Sequence, residues 1–398
     1  MNAWKKLACV AGTLAASVAL AQTGGQPSAE NVARATEMRD RAAAYLLGQQ
    51  DADTGGWNVR PDGPNLPAIT GLVLLGMTAD DAFATRNDKT EAAIGKGYEY
   101  LYSMQQADGG IYDRILPQYN TAIALAALSR LDTQRAEDAA KEALAYLRTL
   151  QYSEANDNPE LRVSRSHPFY GGIGYGGSGR PDNSNMHMFM WALQEAGVPG
   201  DDPAVQRALV FLGRTQMDDR INDMDYADGS RQGGFIYATS PSGEAMGQGE
   251  SKAGTIEETL DDGTKVSRLR AYGSMTYAGF KSYVYAELPE DDLRVTAARD
   301  WISKNYTLQE NPGLGPEGTY YFLLTFGRAL DAFGEPTLEV VDDDGSTRPV
   351  NWADDLIDRL AELQNADGSF RSVNDRWMEN DPVLITAYAM VALGEVLD

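Results

Sequence analysis

Two kinds of helical segment alternate along the chain. In the first kind, Leu, Tyr, Phe and Trp recur at helical spacing with Arg, Lys and Glu between them, as in "RAAAYLLGQQ" and "GYEYLYSMQQ". That pattern predicts helices with one polar stripe facing solvent. The second kind is apolar almost all round, as in "LPAITGLVLLGM", "YNTAIALAALSRL" and "DPVLITAYAMVAL". A helix without a polar face has to be buried. The two kinds pair off into six hairpins. Six such hairpins close most simply into two concentric rings, apolar helices inside. An open solenoid would need polar capping repeats at its ends. The last unit instead ends on "AYAMVALGEVL", so closure is expected.

A repeated phrase joins the two helices of each hairpin. Its anchors are Gln50, Gln106, Gln151, Gln216, Gln309 and Gln364. Each is followed by a turn rich in Asp, Asn and Gly and then a bulky apolar residue: Trp57, Ile111, Ile173, Phe235, Leu314 and Phe370. Glycine permits the positive φ that ends a helix, which gives the turn a mechanical reason. The fourth unit breaks the rhythm with a polar segment from about Ala238 to Arg270. "LDDGT" within it predicts a hairpin turn at Asp262 and Gly263. Long insertions of this kind are commonly lids, so a rim over the cavity is expected. "VVDDDGS" reads as an irregular loop.

The N-terminus follows other rules. Lys5 and Lys6 precede an apolar run from Leu7 to Leu20 that closes on Ala19-Leu20-Ala21. This is the pattern of a secretory signal peptide, residues 1–21, cut after Ala21. The protein is expected to be secreted or periplasmic. No later segment offers about 18 consecutive apolar residues, so stable membrane insertion is not expected. Cys9 is the only cysteine and lies in the leader, which leaves residues 22–398 without disulfide, thiolate ligand or cysteine nucleophile. The net charge of −24 repels phosphate backbones and excludes nucleic acid as a partner.

Helix, Gln, Asp-Gly-Gly, a bulky residue and a Thr- and Ala-rich inner helix together resemble the prenyltransferase and squalene-oxidase repeat. "MQQADGGI" and "LQNADGSF" are its best copies. That repeat builds the α/α toroid of terpenoid cyclases and protein prenyltransferase β-subunits. The resemblance implies an all-α fold, one toroid domain over residues 22–398 with the insertion at about 238–270, and a central cavity. It places the chain nearest to secreted bacterial members. Protein prenyltransferases are expected to hold zinc through Asp, Cys and His, but here only His167 and His187 remain; no metal is expected. Class II cyclases carry an Asp-x-Asp-Asp acid motif, whereas Asp223 and Asp225 are followed by Tyr226. The complement-like thioester Cys-Gly-Glu-Gln is also absent. Some polysaccharide lyases share the fold.

Candidate chemistry lies near the starts of the inner helices, which converge at one mouth of a closed toroid. Asp182, His187 and Glu379 are the candidate catalytic residues. Asn185, Arg270, Tyr272, Ser274, Tyr320, Arg376 and Trp377 are the candidate ligand contacts. Plainer duties compete: Asp182 and Asp381 as helix N-caps, and His187 as a hydrogen-bonded core residue. Lys281, on an apolar helix, needs a partner. The primary expectation is an exported terpenoid-cyclase-like protein whose cavity takes an extended apolar ligand. The alternatives are a polysaccharide lyase or carbohydrate-binding protein gripping an acidic sugar, or a non-catalytic interaction module. No phosphate loop lies between a strand and a helix, and no "GxSxG" elbow is present, so no cofactor is expected. The sequence leaves oligomeric state open.

Overall fold

The computed structural model describes residues 27–79, 87–176, 179–242, 245–260 and 262–397. The leader pattern lies outside the described residues. The outer helices are α1 (Ala29–Leu47), α3 (Asp88–Ser103), α5 (Gln134–Thr149), α7 (Pro203–Thr215), α9 (Leu293–Lys304) and α11 (Trp352–Leu363). Each starts on a side chain that accepts from free N–H groups of the first turn: Ser28, Asn87, Thr133, Asp202, Asp292 and Asn351. The inner helices are α2 (Pro67–Met77), α4 (Pro117–Leu128), α6 (Asn183–Glu195), α8 (Gly273–Tyr285), α10 (Thr319–Phe333) and α12 (Pro382–Leu397). In α2 every residue is buried, as its lack of a polar face requires. Successive inner helices pack on one another, and α12 packs on α2, so the ring is closed.

The glutamine phrase is the device that sets this geometry. Gln50 Nε2 donates to Gly55 O in its own turn and to Ala93 O on α3, both at 2.8 Å. Gln151 does the same to Gly171 and to Ala204 on α7, and Gln216 to Gly233 and to Arg294 on α9. Each joint is therefore tied to the next outer helix. In the last unit Gln364 donates to Gly368 O at 3.1 Å and to Met38 O on α1 at 2.7 Å. The end of the chain is thus fastened to its beginning by the same bond that links neighbours. Gly368, at φ 86°, lies so close to α1 that a Cβ would fall 2.2 Å from the Arg41 carbonyl. Inner-helix threonines complete the joints by accepting the N–H of the bulky residue: Thr70 from Trp57, Thr121 from Ile111, Thr276 from Phe235 and Thr386 from Phe370.

Two anchors differ from the sequence expectation. In the second unit Gln105, not Gln106, reaches Gly109 and Ala139 on α5. Gln106 is exposed and bonds locally to Met104 and Tyr112. The signal was in the spacing, since Gln105 to Ile111 matches Gln364 to Phe370. Gln309 is exposed and makes no such tie. There Tyr306 takes over, donating its hydroxyl to Asp355 on α11 at 2.7 Å.

Among the described residues three antiparallel ribbons interrupt the helices: β1 (Gln216–Asp218) with β2 (Arg231–Phe235), β3 (Thr255–Thr259) with β4 (Lys265–Leu269), and β5 (Thr337–Val341) with β6 (Thr347–Asn351). The β3–β4 turn holds Gly263 at φ 83°. The β5–β6 turn holds "DDDGS", so this stretch is a regular hairpin and not the irregular loop expected. Asp342 N donates to Ser346 O across it at 2.9 Å.

Candidate active site

The N-terminal ends of the inner helices surround a cavity of about 280 Å³. Its wall is mostly apolar and aromatic: Leu66, Ile69, Leu72, Met275 and Leu384 with Tyr119, Tyr175, Tyr237, Tyr272, Tyr321, Tyr388 and Trp377. Ser184, Ser274 and Asn120 add polar points, and Glu379 is the one acidic or basic side chain of the lining. The opposite end is shut by ions. Arg328 of α10 lies 3.6 Å over the Trp191 ring, 3.1 Å from Glu395 of α12 and 3.5 Å from Glu195 of α6. Arg130 pairs with Glu195 at 2.9 Å. Lys281 of α8 bonds to Gln194 there, and burial pushes its pKa down to about 7. The cavity lies at the N-terminal ends of the inner helices, and none of these ionic groups lines it.

Glu379 is the feature that stands out chemically. It follows a single 3₁₀ turn, Arg376–Met378, in which Trp377 and Met378 take left-handed φ of 55° and 65°. Such backbone is costly for non-glycine residues and persists only where the surroundings enforce it. Here Trp377 packs on Gly318, where a Cβ would come within 3.0 Å of the ring. The result aims Glu379 at the start of α10, whose own N-cap, Gly318, has no side chain to offer. Glu379 Oε1 accepts from Tyr320 N at 2.8 Å and Tyr321 N at 2.9 Å. Oε2 is buried without a partner. Burial outweighs the backbone donors and pushes the carboxyl up to about 7.

The other sequence candidates divide sharply. Tyr272, Ser274 and Trp377 join Glu379 on the cavity wall. Asp182 caps α6 and is 1% exposed. Both its oxygens accept from the Asn185 side chain, at 3.1 and 3.0 Å. Burial raises its pKa to about 6, against the pull of Asn185 and Arg180. Neither Asp182 nor Asn185 lines the cavity. His187 also sits behind the wall, its Nδ1 2.9 Å from the Tyr321 hydroxyl. Arg270 is not brought to the cavity: it is exposed, in an outer groove with Tyr306 and Asp342. The β4 strand ends just before it and carries it outside the ring. Tyr320 faces away too, donating its hydroxyl to Arg371 O at 3.0 Å. One step along a helix turns a side chain by about 100°, so Tyr321 faces inward instead. Arg376 pairs with Glu317 and stacks on Trp377, with no place in the lining.

No residue of 238–270 lines the cavity among the described residues. That segment braces the wall from behind: Lys252 lies 4.6 Å from the Tyr237 ring centre, and Glu250 pairs with Arg180, which also faces that ring. Sequence reasoning missed Tyr119, Tyr175, Tyr237 and Tyr388; it put Tyr321 beside Tyr320 at the start of its inner helix and Ser184 beside Asp182 as a possible helix cap, without assigning either to the ligand. The available signal was a tyrosine on an otherwise apolar inner helix, as in "PQYNTAIAL" and "LITAYAM". A buried phenol needs a polar neighbour or a cavity.

Asp223 is engaged by Arg214 at 2.7 Å, and no group of His, Cys, Asp or Glu suited to a metal ion occurs among the described residues. No helix among them is long and apolar enough to cross a membrane.

No protein-family model and no curated protein matches this sequence. Solved structures do. The GH76A α-1,6-mannanase of Salegentibacter sp. HEL1_6 aligns with a TM-score of 0.55 at 10% identity, covering 91% of this chain and 98% of that one. An inactive variant of it, in complex with α-1,6-mannotriose, aligns at 0.52. The type II terpene cyclase MstE of Scytonema, in complex with its substrate geranylgeranyl dihydroxybenzoate, aligns at 0.52 and 14% identity, covering 92% of this chain and 98% of that one. At these identities the likeness shows the fold alone: the chain is an α/α toroid, the fold it has in common with MstE and the GH76A mannanase.

Proposed function

We propose that the cavity takes an extended apolar ligand of isoprenoid type, and that Glu379 delivers a proton to it. The observation that carries this reading is the unpartnered Oε2 of a buried carboxyl in an aromatic, apolar pocket. Near neutral pH about half of such groups hold a proton, since burial puts the pKa at about 7. The two backbone N–H groups on Oε1 stabilise the carboxylate left behind. Positive charge developing on the ligand would lie against tyrosine and tryptophan faces, which attract cations. A proton placed on a carbon–carbon double bond or an epoxide oxygen would thereby start a rearrangement or cyclisation. The MstE likeness supports the reading by fold alone. We further place the site of action outside the cytoplasm, on the leader pattern at Lys5 to Ala21.

The acidic-sugar reading is less well supported. Arg270 and Arg376 are absent from the lining, and an anionic polymer would meet Glu379 as the one charged side chain there. A glycosidase would want two accessible carboxyls, and Asp182 has both oxygens occupied.

The test is organic extraction and mass spectrometry of protein purified from its own host, followed by incubation with polyprenyl alcohols and epoxides. Co-purified isoprenoid, and turnover lost in Glu379→Gln, is the expected result. Carbohydrate as the retained ligand, or full turnover by Glu379→Gln, would overturn the reading.

A further inference from the structure

Of the cavity tyrosines, Tyr237 has the Asp182 carboxyl behind it, and Tyr321 has an imidazole. Its hydroxyl lies 2.9 Å from His187 Nδ1, while Tyr119 and Tyr175 meet other hydroxyls, those of Tyr388, Ser184 and Tyr237. The pair joins α10 to α6, two inner helices that both pack on α8 between them, so the curvature of the inner ring brings it together. His187 is 2% exposed, and its Nε2 has no partner. Burial, reinforced by the charges of Arg328 and Lys281, holds its pKa well below the ordinary value, so the imidazole is neutral. With the proton on Nε2, Nδ1 accepts the phenol proton. Ser184 bonds to the Tyr321 oxygen as well. A hydroxyl held against a neutral imidazole can take a proton on its oxygen while giving up its own.

We propose that Tyr321 is the proton acceptor of the cavity, and that His187 is the positioning residue that receives the phenol proton. This rests on the isoprenoid reading above. Glu379 and His187 then hold one residue at its two ends, the carboxyl at its backbone N–H and the imidazole at its hydroxyl. The step balances. Glu379 gives its Oε2 proton to a ligand carbon, forming a C–H bond and leaving a carboxylate and a carbocation. A C–H bond beside the cation breaks, and its electron pair forms a new double bond. Its proton goes to the Tyr321 oxygen as the phenol proton moves to His187 Nδ1. No redox partner is needed. When product leaves, the imidazolium, disfavoured by burial, Arg328 and Lys281, returns its proton through the Tyr321 hydroxyl to water entering the cavity, and Glu379 takes one proton back from that water, which restores both groups.

A polyprenyl dimethylamine, protonated at neutral pH, mimics that cation and carries an N–H where the departing proton would be. Its binding, and that of geranylgeraniol, can be read from the fluorescence of the wall residue Trp377. In Tyr321→Phe the amine should weaken by ~tenfold or more, the size of a lost charge-assisted hydrogen bond, and the alcohol should hold. His187→Leu should match Tyr321→Phe, whereas His187→Asn, whose amide oxygen can accept the phenol proton, should recover amine binding. The chain has two histidines, His167 and His187, so imidazole ¹⁵N spectra should show the amine shifting His187 alone, and not in Tyr321→Phe. Equal weakening of amine and alcohol, or an amine insensitive to Tyr321→Phe, overturns the assignment and leaves the isoprenoid reading standing. Failure of both probes to bind the wild-type protein overturns both.

Discussion

Replacing Glu379 by Gln separates what this carboxyl offers the cavity from what it costs the fold. The amide oxygen can keep the two bonds that Oε1 accepts from Tyr320 N and Tyr321 N, at 2.8 and 2.9 Å. The NH₂ group takes the place of Oε2, which has no partner. Protonated acid and amide therefore present the same bonds to α10 and one donor to the cavity. They part company when the wild-type carboxyl ionises. Burial raises it from 4.5 to about 7, so the folded state holds this proton more tightly than the unfolded chain. Its contribution to stability is full below pH 4.5, declines as the unfolded chain ionises first, and levels off above about 7. A displacement of that size corresponds to roughly 3 kcal/mol. Glu379→Gln should match wild type near pH 4.5 and exceed it by roughly 2–3 kcal/mol near pH 8. Urea unfolding at both pH values measures this by linear extrapolation. Asp182, also raised by burial, titrates in both proteins and cancels in the comparison. Parallel pH dependence of the two proteins would mean a solvated, ionised Glu379, and the proton donor would be gone from the argument.

Two further outcomes follow from the ring. Gln364→Ala removes both donors of the closing tie, to Met38 and Gly368, and should destabilise by roughly 2–3 kcal/mol; Gln309→Ala, at an exposed anchor, should stay within about 0.5 kcal/mol in the same unfolding assay. Equal effects would mean that the glutamine tie does not hold the ring. Arg328→Met takes the partner from Glu395, while Glu195 keeps Arg130, and should cost about 3 kcal/mol, the low end of the loss when one partner of a buried ion pair is removed. Thermal unfolding unchanged by that substitution would contradict the picture of an ionic floor.

The repeat was legible because its causes are local. Apolar periodicity decides which helix is buried, and a glycine turn after a glutamine ends each outer helix wherever it occurs. The sequence therefore determined the six hairpins, their inner and outer members, and the closure of the ring, together with the helix-capping duty of Asp182. It erred by one residue at Gln106, where a doubled glutamine offers two registers and only the reach to Ala139 on α5 selects Gln105. Of the adjacent Tyr320 and Tyr321 it chose Tyr320 as the ligand contact where Tyr321 faces inward, because the phase of a helix that is apolar all round cannot be read from its pattern. What only the tertiary structure decided is the composition of the cavity. Arg270 lies outside the ring, Tyr321 meets His187 across it, and Glu379 reaches the bare N-terminus of α10 from a strained turn. Those are contacts between segments far apart in sequence. Their energies depend on which groups are withdrawn from water together, and that quantity exists only once the ring has closed.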